Sequence, residues 1–64
     1  MQNTIPQIKS LIASLREVPS ARRTAHHQMA TRHANYALIF AKRGDIDVAT
    51  EIMVTAKFQA SFVL

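Results

Sequence analysis

The chain has 64 residues, 48% apolar and 19% charged, with no cysteine, which excludes a disulfide scaffold, a thiolate metal site and a disordered polyelectrolyte. Its formal charge of +4 is concentrated, because Arg22, Arg23, Arg32, Lys42 and Arg43 lie in an acid-free stretch between Glu17 and Asp45. An acidic partner is implied, whether nucleic acid, anionic membrane or an acidic protein surface.

A chain of this size is one helical domain, residues 1–64. Such a domain buries only about 60% of its unfolded surface, so a homodimer is the expected source of further stability. An all-α fold of three helices is expected, at about 5–17, 21–43 and 46–62, the last two forming a long antiparallel hairpin.

Thr4-Ile5-Pro6-Gln7 reads as a helix start, with Thr4 as N-cap and proline in the first turn, where a missing N–H is harmless. Ile5, Ile8, Leu11, Ile12 and Leu15 then recur at steps of three and four, one apolar stripe opposed by Gln7, Ser10, Ser14 and Glu17. Val18-Pro19-Ser20 ends the helix, since a residue before proline is pushed out of helical angles, and Ser20 can cap the next.

The second helix divides into three sectors at 100° steps. Arg22, His26, Met29, His33, Tyr36 and Phe40 share a bulky side, expected to be the core. Arg23, Ala30, Ala34 and Ala41 form a small-residue side suited to the close approach of another helix, in this chain or a second copy. Thr24, Gln28, Thr31, Asn35 and Lys42 form the polar side.

Gly44, the only glycine, marks the corner: Lys42 and Arg43 precede it, where cations suit a helix C-terminus, and Asp45, Asp47 and Glu51 follow, where acids suit an N-terminus. The third helix carries Ala49, Ile52, Met53, Ala56, Ala60 and Val63 as its packing stripe. Val54, Phe58 and Phe62 form a second apolar side, to be covered by helix 1, a second copy or a partner.

Nothing in these elements composes a catalytic constellation. His26 and His33 share a face but stand seven residues apart, about 10 Å along a helix, too far to bind one zinc ion together. Their expected use is a ring N–H hydrogen bond. The acids at 45, 47 and 51 have a sufficient reason in capping and the helix dipole, and one glycine cannot build a phosphate loop. No enzyme activity and no cofactor are expected.

A helix-turn-helix reading is opposed by those same acids at the start of the would-be recognition helix, so nucleic-acid binding stands as the alternative function. The longest apolar run, Tyr36 to Ala41, is too short to cross a bilayer. No signal-type segment opens the chain, and a cytoplasmic location is expected.

Around the corner the chain resembles a single tetratricopeptide-type helix pair, with Tyr36, Ala37, Phe40, Gly44, Asp45, Ala49, Met53 and Ala56 in that pattern's slots and His33 where a tryptophan stands. Such repeats need about three stacked copies, which this length cannot hold, so the likeness reflects shared hairpin packing.

In its size, its Gln2-Asn3-Thr4 start before an amphipathic helix and its hairpin from Ala41 to Ala49, the whole chain resembles the small phage-encoded anti-activator proteins that block quorum-sensing regulators. The resemblance implies a dimeric helical inhibitor, acting in the host cytoplasm, that binds the DNA-binding domain of a LuxR-type activator, with a second target in pilus assembly. No contact residue of that family is carried over. From the residues themselves, Arg22, Arg23, Arg32, Asp45, Asp47 and Glu51 are expected at a partner surface, and Val54, Phe58 and Phe62 at an apolar dimer or partner patch.

Overall fold

A computed structural model describes residues 4–64 of the chain as three α-helices and one short 3-10 turn, with no strand among them. Helix α1 spans Thr4–Arg16, α2 Ala25–Lys42 and α3 Ile46–Ala60, packed into a rod of 36 × 16 × 16 Å. α2 and α3 make the most extensive contact, and α1 lies chiefly on α2. Helix α1 already includes Thr4, one residue before its expected start, so Thr4 is a helical residue and not the N-cap, while the Gln2-Asn3 part of the start falls outside the described residues.

The α1 stripe packs as its spacing dictates. Ile8, Ile12 and Leu15 are buried, and Ile5 and Leu11 pack half-buried beside them. The helix stops before Pro19 with tightened last bonds, Glu17 N–H to the Ser14 carbonyl and Val18 N–H to the Leu15 carbonyl, at 3.2 and 3.3 Å.

Helix α2 begins four residues later than the sequence suggests. Ser20–Arg22 form a single 3-10 turn after Pro19, Arg23 and Thr24 are extended, and Thr24 rather than Ser20 occupies the N-cap position. The cause lies in the two arginines. The Arg23 guanidinium turns back, donating from Nε to the Val18 carbonyl and from Nη2 to the Arg16 carbonyl, both at 3.0 Å. Arg22 Nη2 donates to the Val63 carbonyl at 3.3 Å. Both side chains therefore satisfy carbonyls at the ends of other helices, a use that competes with extending α2 toward its N-terminus.

The core side of α2 also departs from expectation. Ala30, Ala34, Ala37 and Ala41 are buried, whereas Met29 and Tyr36 are 43% and 50% exposed and His33 and Phe40 half-buried. Facing them from α3 are Ala49, Met53, Ala56 and Ala60, all buried. A seam of alanines lets two backbones approach at the short end of the usual 8–10 Å range of about one helix diameter, so bulky side chains are pushed to its edges.

The corner is a Schellman motif. Gly44 adopts φ 91°, its N–H donates to the Ala41 carbonyl at 3.1 Å, and Asp45 N–H donates to the Phe40 carbonyl at 2.9 Å. Asp45 then forms an inverse γ-turn, φ −83° and ψ 68°, closed by Ile46 N–H on the Gly44 carbonyl at 3.0 Å. It holds the N-cap position of α3 without a capping side-chain bond, so its contribution there is its charge.

A Cβ added at Gly44 would meet nothing within 4 Å, which leaves left-handed strain as the sole cost of alanine. Gly44→Ala should therefore lower stability by about 1–2 kcal/mol with helicity retained, read by urea unfolding. A neutral result would mean that the corner relaxes to another turn.

Candidate functional site

Two surfaces collect the polar and apolar groups that the core does not use. The first lies on the outer side of α3. Asp47, Glu51, Val54 and Phe58 follow at steps of four, three and four, and Phe62 comes four further, in the turn after the helix; all five are exposed. Such spacing aligns them on one line along the helix. The line changes character along its length, from two carboxylates to three apolar side chains.

Val54 is 66%, Phe58 61% and Phe62 54% exposed, so α1 does not cover them, settling one of the three occupants left open by the sequence. Phe62 stacks on His26 with centroids 4.2 Å apart and planes 18° from parallel. Phe58 meets Phe62 edge-on at 5.2 Å. His26 Nδ1 is 2.6 Å from Gln59 Oε1, a bond in which the imidazole donates, and with Arg22 on the Val63 carbonyl it moors the turn after α3. Phe62 is thus half scaffold, whereas Phe58 rests on Phe62 alone among aromatic partners.

The second surface lies where α1 crosses α2. His27 Nε2 donates to the Leu15 carbonyl at 2.7 Å, and the Arg23 guanidinium caps the same helix end, where the α1 dipole is negative. Arg23, His27, Gln28, Thr31, Arg32 and Asn35 line an open groove of about 460 Å³. An adjoining groove of about 300 Å³ is lined by Lys9, Ile12, Ala13, Arg16, Leu38 and the same Asn35. None of the acids Glu17, Asp45, Asp47 and Glu51 lines either groove.

The residues expected at a partner surface are therefore divided. Arg23 and Arg32 belong to the groove, Asp47 and Glu51 to the α3 line, Arg22 to the mooring of the α3 end, and Asp45 to the corner. Lys9 and Arg16 of α1 join the basic side without having been singled out. Their seven-residue spacing, one face of a helix, was the available signal.

His33 Nδ1 donates to the Met29 carbonyl at 2.8 Å, the backbone use of a ring N–H expected for it. Arg43 lies 5.9 Å from the Phe40 ring centroid, a cation–π distance. Among the described residues no group of three or more histidine and acidic side chains is placed to hold a metal ion. No helix of the described residues is long and apolar enough to cross a membrane. No protein-family model, curated protein or solved structure matches the chain.

Proposed function

We propose that the protein is a non-enzymatic interaction module whose α3 line docks on a basic surface of a host regulatory protein and blocks it. The target class is the one implied by the resemblance to anti-activator proteins, the DNA-binding domain of a LuxR-type activator. The observation that carries this reading is the order of exposed residues Asp47, Glu51, Val54, Phe58 and Phe62 along one line. Carboxylates followed by aromatic anchors match a surface that offers phosphate-binding cations beside an apolar hollow.

The net charge of +4 would oppose approach to a basic partner if it were spread evenly. It is not spread evenly, since the grooved cations lie on the α1–α2 side and the carboxylates on the α3 line. Local complementarity decides docking once charges are within a Debye length, about 8–10 Å at moderate salt.

The test is calorimetric titration of the purified LuxR-type DNA-binding domain with the parent chain and with an Asp47→Lys, Glu51→Lys variant. Reversal of both charges should weaken capture about tenfold or more, because like charges are then set face to face. An unchanged dissociation constant, with far-ultraviolet dichroism showing the same helix content, would remove the α3 line from the reading.

A further inference from the structure

We infer that the α1–α2 side is a second binding surface, one that holds the phosphodiester backbone of duplex DNA without reading its sequence. Lys9, Arg16, Arg23 and Arg32 line two grooves that meet at Asn35, with His27 in the first of them. The acid-free lining gives one sign of charge along an open channel, the arrangement that concentrates a polyanion.

The donors are of the kind that phosphate oxygens accept from. Arg23 is already fixed by its bonds to the Val18 and Arg16 carbonyls, so little further ordering is needed for its remaining N–H groups to pair. Gln28 and Asn35 add side-chain amides. Thr31 Oγ1 is buried in the groove wall without a hydrogen-bond partner, a polar group that the fold alone leaves unused.

What the lining lacks selects among anionic partners. No Phe, Tyr or Trp lines either groove, whereas single strands are held by stacking bases on such rings. The first groove also offers no aliphatic or Phe, Tyr or Trp anchor, and of the aliphatic residues lining the second, Ile12 is buried and Leu38 half-buried in the fold's own core, whereas protein interfaces concentrate their energy on such anchors. A duplex backbone needs neither. It presents regularly spaced phosphates, and contacts to them position a protein without specifying bases.

Fluorescence anisotropy with two unrelated 20-base-pair duplexes, one of their single strands and a poly-glutamate peptide, from 50 to 200 mM salt, tests the inference. Both duplexes should bind alike, with a log–log salt slope of about −3 to −4 for four neutralised phosphates. A Lys9→Glu, Arg32→Glu variant removes two cations whose side chains make no hydrogen bond among the described residues. It should weaken duplex binding at least tenfold and flatten the slope by about 2, while Lys57→Glu, on α3 and outside both grooves, changes the slope little.

The assignment is overturned by no duplex binding at 50 mM salt, by a Lys9→Glu, Arg32→Glu variant that keeps its helix content and binds like the parent, or by single strands bound more tightly than duplexes. Poly-glutamate binding equal to that of the duplex, with the same dependence on residues 9 and 32, overturns it in favour of an acidic protein partner.

Discussion

Replacing Ile8 by alanine should lower the unfolding free energy by about 3 kcal/mol, within the ~2–5 kcal/mol range of such truncations, and the melting temperature by roughly 10–20 °C. Ile8 is fully buried and belongs to the cluster that joins α1 to Ala34, Ala37 and Ala41 of α2 and Ala49, Met53 and Ala56 of α3. Five of the seven other buried members of that cluster are alanines, whose single methyl group has no torsion through which to swing into a void. The alanine seam is held by the close approach of two helix backbones, so the hole left by three missing carbons closes only if the helices themselves move.

A domain of this length is expected to hold roughly 3–10 kcal/mol of total stability, so one such truncation removes a large share of it. Urea unfolding followed by dichroism should show the midpoint falling with the slope unchanged. A loss below about 1 kcal/mol would mean that α1 is a loosely attached strap and that the α2–α3 hairpin carries the fold alone.

This wedge was legible in the sequence, because large aliphatic residues at steps of three and four leave one reading of which way α1 faces. The same holds for the α3 packing stripe, where Ala49, Met53, Ala56, Ala60 and Val63 are buried as their spacing requires. Helix α2 was not legible in the same way. Its bulky sector, Met29, Tyr36 and Phe40, holds more apolar surface than its alanine sector, and periodicity weighted by hydrophobicity selects the larger sum. Burial is instead decided by how closely two helices can approach, a property of the pair that neither helix records.

The late start of α2 has a similar origin. Arg22 and Arg23 are good helix formers by propensity, but the carbonyl that Arg22 meets belongs to Val63, 41 residues away in the chain. The basic grooves were hidden for the same reason. Lys9 and Arg16 of α1 come beside Arg32 of α2 and Arg23 of the segment before it only because α1 packs on α2 there. By contrast, the α3 line lies within one helix and the turn that directly follows it, and its residues could be named from spacing alone.

Phe58→Ala separates docking from folding on that line and should weaken capture of the LuxR-type DNA-binding domain about 30-fold, the effect of losing one aromatic anchor worth about 2 kcal/mol. Phe58 is 61% exposed and touches one other aromatic ring, edge-on at 5.2 Å. Its removal should cost the fold no more than about 1 kcal/mol. The melting temperature then stays near that of the parent while the dissociation constant rises. Phe62→Ala cannot make this distinction, because Phe62 stacks on His26 at 4.2 Å and helps to hold the turn after α3, so both quantities would move together. Unchanged capture by Phe58→Ala, alongside a weakened Asp47→Lys, Glu51→Lys variant, would confine docking to the acidic half of the line. Unchanged capture by both would mean that the exposed rings of α3 serve another contact, and that the line is a solvent face whose acids support only the start of their own helix.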